Sequence, residues 1–208
     1  MTTDPQQHTP EGIEEPKPLT IPVHVSVQVD GVVLNQPEMR DILRAAKQLA
    51  IGDCGCRKEK GGCDKPLEVC LGLNDEALEN VDRFGWRLID VDEAMDVLAR
   101  TYRAGLVHIA YRRSNGEIHE VCSCCSCCCG FLTSLTARRY KDALITSSFV
   151  AAFDPEACTG CGLCIKRCPF GAFSKDADGR TLFESDQCFG CGLCVGTCPS
   201  EAIHFVER

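Results

Sequence analysis

A chain of 208 residues with a formal net charge of −8 is long enough for one or two small domains, and its acidic balance disfavours binding to nucleic-acid phosphates. Cysteine fills 18 positions; with these set aside the apolar share falls to about 35%, low for a self-sufficient core, so metal–thiolate bonds are expected to supply part of the folding free energy. No run of about 18 apolar residues is present, so no membrane-spanning helix is expected.

Residues 1–20 are polar and proline-rich and read as a disordered tail without the apolar core of an export signal. Many cysteines without such a signal point to a reducing, cytoplasmic setting rather than a secreted disulfide scaffold. Strict alternation at Ile21, Val23, Val25, Val27 and Val29 predicts a half-buried strand over 21–34, with a short hairpin turn at Asp30-Gly31. Asn35 then caps a predicted helix from about Pro37 to Ala50, with Met39, Ile42, Leu43, Ala46 and Leu49 on its apolar face. That helix is expected to run directly into DCGCRKEKGGCDKPLEVCLGL.

Four cysteines in this segment, Cys54, Cys56, Cys63 and Cys70, form a candidate set for one further [4Fe-4S] cluster, with zinc as the competing occupant. Arg57 and Lys58 are placed to lower thiolate pKa values or offset cluster charge, although such pairs are commonly just solvated. Trp86, within FGWRLI, reads as core. Residues 90–104 give the best helix pattern: Asp90 and Glu93 make a capping box, Val91, Met95, Leu98 and Tyr102 form the stripe, and Gly105 ends it. LVHIAY and EIHEVC follow as two strands joined at Ser114-Asn115-Gly116. His108 and His119 lie on this hairpin, where a surface or core role outweighs ligation.

The second strand leads into CSCCSCCC, with Cys122, Cys124, Cys125, Cys127, Cys128 and Cys129. Adjacent side chains point apart, so six cysteines in eight residues are not expected to bind one ordinary cluster. Three readings compete: a fourth cluster with spare thiols, a site shared with the 54–70 loop, or unusual cluster or thiol–disulfide chemistry. Cys122, Cys124, Cys125, Cys127 and Cys128 are taken as metal-binding candidates. A short helix is expected around Phe131–Tyr140.

Residues 158–169 and 188–199 read CTGCGLCIKRCP and CFGCGLCVGTCP, the same Cys-x2-Cys-x2-Cys-x3-Cys-Pro pattern twice, 30 residues apart. The spacing resembles that of bacterial two-cluster ferredoxins, in which the fourth cysteine ligates the other cluster. This resemblance implies ligand sets of Cys158, Cys161, Cys164 with Cys198, and of Cys188, Cys191, Cys194 with Cys168. Paired structural zinc sites are the rival, disfavoured by two full motifs in tandem. Ala172-Phe173 and Ala202-Ile203 occupy equivalent places after each proline and are expected to keep water from the clusters. The surroundings of the two are alike, which implies similar, low potentials.

Residues 32–208 also resemble a group of anaerobe 4Fe-4S binding proteins, on VVLNQPEMRDILRAAKQLAIGDCGCRKEKGGCDKPLEVCLGL, VDEAMDVLARTYRAGLVHIAY and VCSCCSCCCG. Proteins of this group join a Cys-rich unit to a two-cluster ferredoxin module. The expected fold is α+β: a ferredoxin-like (β-α-β)2 module over 146–208, preceded by a smaller Cys-rich α/β unit over 21–145. The resemblance implies multi-cluster electron transfer, with two [4Fe-4S] clusters, one or two further iron–sulfur clusters, and redox proteins as partners. The competing functions are the iron–sulfur subunit of a reductase, with the 122–129 run doing disulfide or cluster chemistry, and a redox or iron sensor. No nucleotide fingerprint or nucleophile elbow is visible, which favours an electron carrier over an enzyme.

Overall fold

The computed structural model describes residues 19–20, 37–113, 115–137, 147 and 149–208. The strand expected over 21–34, its Asp30-Gly31 turn and the end of the helix expected near Tyr140 lie outside these residues. Leu19–Thr20, assigned to the tail by sequence, form a short strand (β1) whose residues pair with Ala110 and Ile109.

Helix α1 spans Pro37–Ala45 and is shorter than expected, because Leu49–Asp53 is a strand (β2) rather than its last turn. Asn74 enforces the break. Its side-chain oxygen accepts from Lys47 N–H at 2.8 Å, and its own N–H donates to the Gln48 carbonyl at 2.9 Å. Backbone groups that would have extended the helix are thereby satisfied elsewhere. Leu49 is accordingly a sheet residue, and a strand separates α1 from the Cys54 segment.

Strands Glu68–Leu73 (β3), Arg87–Ile89 (β4), Val107–Arg112 (β5) and Ile118–Cys124 (β6) complete a six-stranded sheet in the order β1-β5-β6-β3-β2-β4. Every described pairing in it is antiparallel. The upstream unit is therefore α+β rather than α/β, and it is the larger part of the described chain rather than the smaller.

Alternation along the strands gives the sheet two chemically different faces. On one, Leu49, Ile51, Leu71, Leu73, Ala110 and Val121 meet Leu43 of α1 and Ala94, Met95 and Leu98 of helix Val91–Arg103 (α4) in a single apolar cluster. Asp90 Oδ1 caps α4 by accepting from Glu93 N–H at 2.8 Å. Only that half of the capping box forms, because the Glu93 carboxylate is held by both terminal nitrogens of Arg87, at 2.7 and 3.0 Å. The other face carries Cys70, Cys122 and Cys124. Helix Asp75–Phe84 (α3) packs against β2 and β3 so closely that a Cβ on Gly72 would meet the Ala77 backbone at 3.2 Å.

His108 lies on β5, fully buried, with Nε2 2.8 Å from Thr101 Oγ1. Burial lowers its pKa from 6.5 to about 3. The folded state thus refuses a proton that the unfolded chain takes up, and stability falls as pH drops below 6.5 toward 3. Denaturant midpoints measured at about pH 7.5 and 5.5 should separate in the wild type, and His108→Gln should narrow the gap. An equal gap in both proteins would assign the acid sensitivity elsewhere.

Residues 149–208 carry two further two-stranded sheets. Strand Phe149–Phe153 (β7) pairs with the last strand, Ile203–Glu207 (β10), while Phe173–Lys175 (β8) pairs with Thr181–Phe183 (β9). Helix Leu163–Arg167, labelled α6 after helices Gly55–Lys60 (α2) and Gly130–Ala137 (α5), follows the first cysteine loop. A shorter helical turn at Val195–Thr197 takes the same place in the second. Arg167 joins this segment to α4. Its guanidinium donates to the carbonyls of Tyr102 (2.8 Å) and Arg103 (3.0 Å) at the end of α4, and lies 5.3 Å from the Tyr102 ring centre. Orphan carbonyls at a helix C-terminus are good acceptors for a cation. The Tyr102 hydroxyl in turn donates to the Leu193 carbonyl at 3.2 Å.

Candidate metal centres

Strand register assembles the upstream cysteines. Leu71 pairs with Val121, so Cys70 and Cys122 are the next positions along the ladder and share a face, with Cys124 two residues on. Cys54 follows β2, its N–H donating to the Leu67 carbonyl at 2.8 Å, and opens the short helix α2. The run then turns: Cys129 N–H reaches the Cys125 carbonyl at 3.0 Å, bringing Cys129 back under the sheet. As a result Cys54, Cys56, Cys70, Cys122, Cys124, Cys125, Cys128 and Cys129 line one cavity of about 510 Å³, with Arg57, Trp86, Tyr111 and Glu120. Trp86 is therefore a wall of this cavity rather than simple core. It lies so close to Gly52 that a Cβ there would fall 2.3 Å from the indole.

Neither His108 nor His119 lines the cavity. Cys129 stood in the run but outside the chosen candidates, and Glu120 and Tyr111 carried no signal at all. Their membership follows from the 125–129 turn and from pairing between distant strands, neither of which local spacing encodes. Within the cavity, Cys70 Sγ, Cys122 Sγ and a Glu120 carboxylate oxygen lie within 4.8 Å of one another. The Cys122 thiol points at Glu120 Oε1 at 3.1 Å.

Beside the cavity, Cys63, Cys125, Cys127 and Cys128 bring their sulfurs within 4.8 Å of one another. The expectation that neighbouring cysteines diverge holds for Cys124 and Cys125, which face different groups. It does not hold for Cys127 and Cys128, whose sulfurs are 3.9 Å apart because they sit on a turn rather than a strand. Cys63 thus stands closest to the run, while packing against the buried cluster that also holds Cys54 and Cys70.

Within residues 149–208, Cys168 is packed with Cys188, Cys191 and Cys194, whose charges act on one another. Cys164 interacts in the same way with Cys158 and Cys161. Cys164, Cys168, Cys188, Cys194 and Cys198 share one apolar cluster with Ala172, Phe173 and Ile203, so the residues after each proline do shield the cysteines. Backbone N–H groups already point at sulfur: Gly160 at Cys158 (3.3 Å) and Ala172 at Cys168 (3.4 Å). Such donors stabilise thiolate and bridging sulfide and tune cluster potentials.

This crowding shifts the thiol pKa values. Burial, with mutual repulsion, pushes Cys191 up to about 12 and raises Cys194 and Cys168. Upstream, Cys54, Cys70 and Cys122 are raised by hydrogen-bonded cysteine neighbours and by burial. Cys125 goes the other way: burial raises it, but the Cys127 thiol and Arg57 guanidinium bring it down to about 6. A metal ion among these sulfurs displaces the protons and relieves the repulsion.

The model of a family described as a 4Fe-4S dicluster domain matches residues 157–203. No curated protein matches the chain. No helix among the described residues is long and apolar enough to cross a membrane. The family match and the cysteine clusters together support a 4Fe-4S binding protein with an iron–sulfur electron-transfer role.

Proposed function

We propose that this chain is a soluble, cytoplasmic electron carrier in which a dicluster unit over 146–208 is wired to a metal–thiolate centre in the unit over 21–145. Cys158, Cys161, Cys164 and Cys198 hold one [4Fe-4S] cluster, and Cys188, Cys191, Cys194 and Cys168 the other. The cavity cysteines, Cys54, Cys56, Cys70, Cys122, Cys124 and Cys129, hold a further iron–sulfur cluster. Such clusters, when bound, accept and release single electrons.

One observation carries the reading: Cys191 lies in the same apolar cluster as Cys124 and Cys129, packed with Val107, Ile109, Leu132, Phe189 and Leu193. A ligand of the second dicluster site and two cysteines of the sheet site are thus separated only by close-packed side chains. Phe170 and Phe189 stack over this junction with centroids 4.6 Å apart and exclude water. At the opposite end, Cys161 is exposed beside the partly exposed Leu163, which marks the first dicluster site as the side that a redox protein meets.

Anaerobically purified full-length protein should contain clearly more iron than the roughly eight atoms of two four-iron clusters. Its reduced EPR spectrum should show magnetic coupling beyond that of the dicluster pair. Cys124→Ser should remove the extra iron and the extra coupling while leaving the pair intact. About eight irons in the wild type, with a spectrum indifferent to Cys124→Ser, would defeat the reading.

A further inference from the structure

We propose that Cys63, Cys125, Cys127 and Cys128 bind a single Zn²⁺ ion, in a site separate from every iron–sulfur cluster of the chain. The argument is metric. Zinc–sulfur bonds of about 2.3 Å place the four sulfurs of a tetrahedron about 3.8 Å apart. The Cys63 sulfur is 3.9 Å from that of Cys125 and 3.9 Å from that of Cys128, and Cys127 is 3.9 Å from Cys128. All four fall within 4.8 Å of one another.

The same molecule supplies the contrast. Thiolates around an iron–sulfur cube must spread wider, because each stands outside its own iron and the irons are themselves apart. Among the described residues no three cysteines of the 158–198 motifs come within 4.8 Å of one another, although all eight are described. One set is drawn in to the size of an ion, and the other is not.

Arg57 provides an independent observation. Its side chain is 1% exposed, and no carboxylate among the described residues pairs with it. Its terminal nitrogens donate to the carbonyls of Pro66 and Ser123 and, at 3.6 Å, to Cys125 Sγ, while its Nε has no partner. A buried guanidinium needs an anion. Four thiolates around a divalent cation retain net negative charge, and Cys125 presents it to Arg57. The arginine sits between the two chain segments that supply the ligands and is bonded to both flanks.

The four protein ligands leave no open position, so the ion is structural rather than catalytic. Its role follows from the segments it joins. Residues 61–67, GGCDKPL, have little apolar surface to bury, and they meet the 125–128 turn where Gly62 lies beside Cys128 Sγ. An ion at this point fastens the loop to the turn, and with it the wall of the cavity formed by Cys125 and Cys128. The assignment stands independently of the electron route proposed above.

Zinc K-edge X-ray absorption on the full-length protein, purified anaerobically from iron-replete cells, tests this directly. The expected first shell is four sulfurs at about 2.3 Å with no neighbouring metal, at about one zinc per chain. Cys63→Ser should lose that zinc while acid-labile sulfide and the dicluster EPR signals stay unchanged. Absence of zinc, a metal–metal vector, or a Cys63→Ser protein that loses iron and sulfide together would overturn the proposal. So would a Cys63–Cys125 disulfide in the anaerobic protein. If Cys63→Ser does not fold, the wild-type spectrum alone decides.

Discussion

Cys198→Ala should damage the cluster of Cys158, Cys161 and Cys164, and spare the one whose cysteines lie next to it in sequence. The grounds are the closeness of Cys168 to Cys188, Cys191 and Cys194, which supports the proposal that the second triad takes its fourth sulfur from the first motif. By the symmetry of the repeat, Cys198 would then serve the first triad. It packs in the apolar cluster that holds Cys164, Cys188 and Cys194, where both triads meet. Burial opposes its ionisation, but hydrogen bonds from Ser200 and from the backbone of Ala202 and Ile203 bring its pKa below the ordinary value, so the thiolate is prepared for a cation. Removing it leaves one iron open to water, and the oxidised protein should show the EPR signal of a three-iron cluster, with about one iron lost per chain. Damage assigned to the 188–194 cluster would show that the fourth ligands do not cross.

The expected crossing comes from the resemblance of the tandem motif to two-cluster ferredoxins, a motif local enough to be read from the sequence. Spacing of two and three residues fixes which thiols share a loop, and the resemblance to two-cluster ferredoxins implies the exchange. The sheet site was not legible in the same way. That Cys70 and Cys122 stand side by side depends on pairing β3 with β6, and that Cys63 joins Cys125 depends on where a glycine-rich loop lands. Residues 49–53 were misread for a related reason. The apolar spacing that made Leu49 continue the face of α1 also fits a strand, and Asn74, far along the chain, decides between them. Helix α4 and the β5–β6 hairpin were readable since cap, stripe and turn residues are near neighbours. Only the Glu93 half of the cap failed, because Arg87 competes for its carboxylate.

The repeat also hides an asymmetry that a matched pair of substitutions should expose. Gly160 and Gly190 hold the same place in the two motifs and the same left-handed backbone, with φ of 70° and 71°. Alanine at either costs about 1–2 kcal/mol for that conformation. At Gly160 a new methyl group meets nothing within 4 Å. At Gly190 it would lie 2.1 Å from the Phe149 carbonyl oxygen and 2.7 Å from Ser147 Cβ. Those atoms have little room to retreat. Ser147 N–H donates to the Phe189 carbonyl at 3.1 Å, Arg208 donates to the carbonyls of Ser147 and Cys188, and Phe149 pairs with Glu207 in the β7–β10 ladder. Overpacking against fixed backbone adds about 1–3 kcal/mol, and relief requires the 188–194 loop to leave β7. Gly160→Ala should therefore keep both clusters with a modest fall in thermal midpoint. Gly190→Ala should lose the iron and sulfide of the second cluster, and with it the coupling to the sheet site. Equal losses from the two variants, read by iron, sulfide and EPR, would mean that the left-handed turn alone governs both loops and that the contact with β7 does not matter.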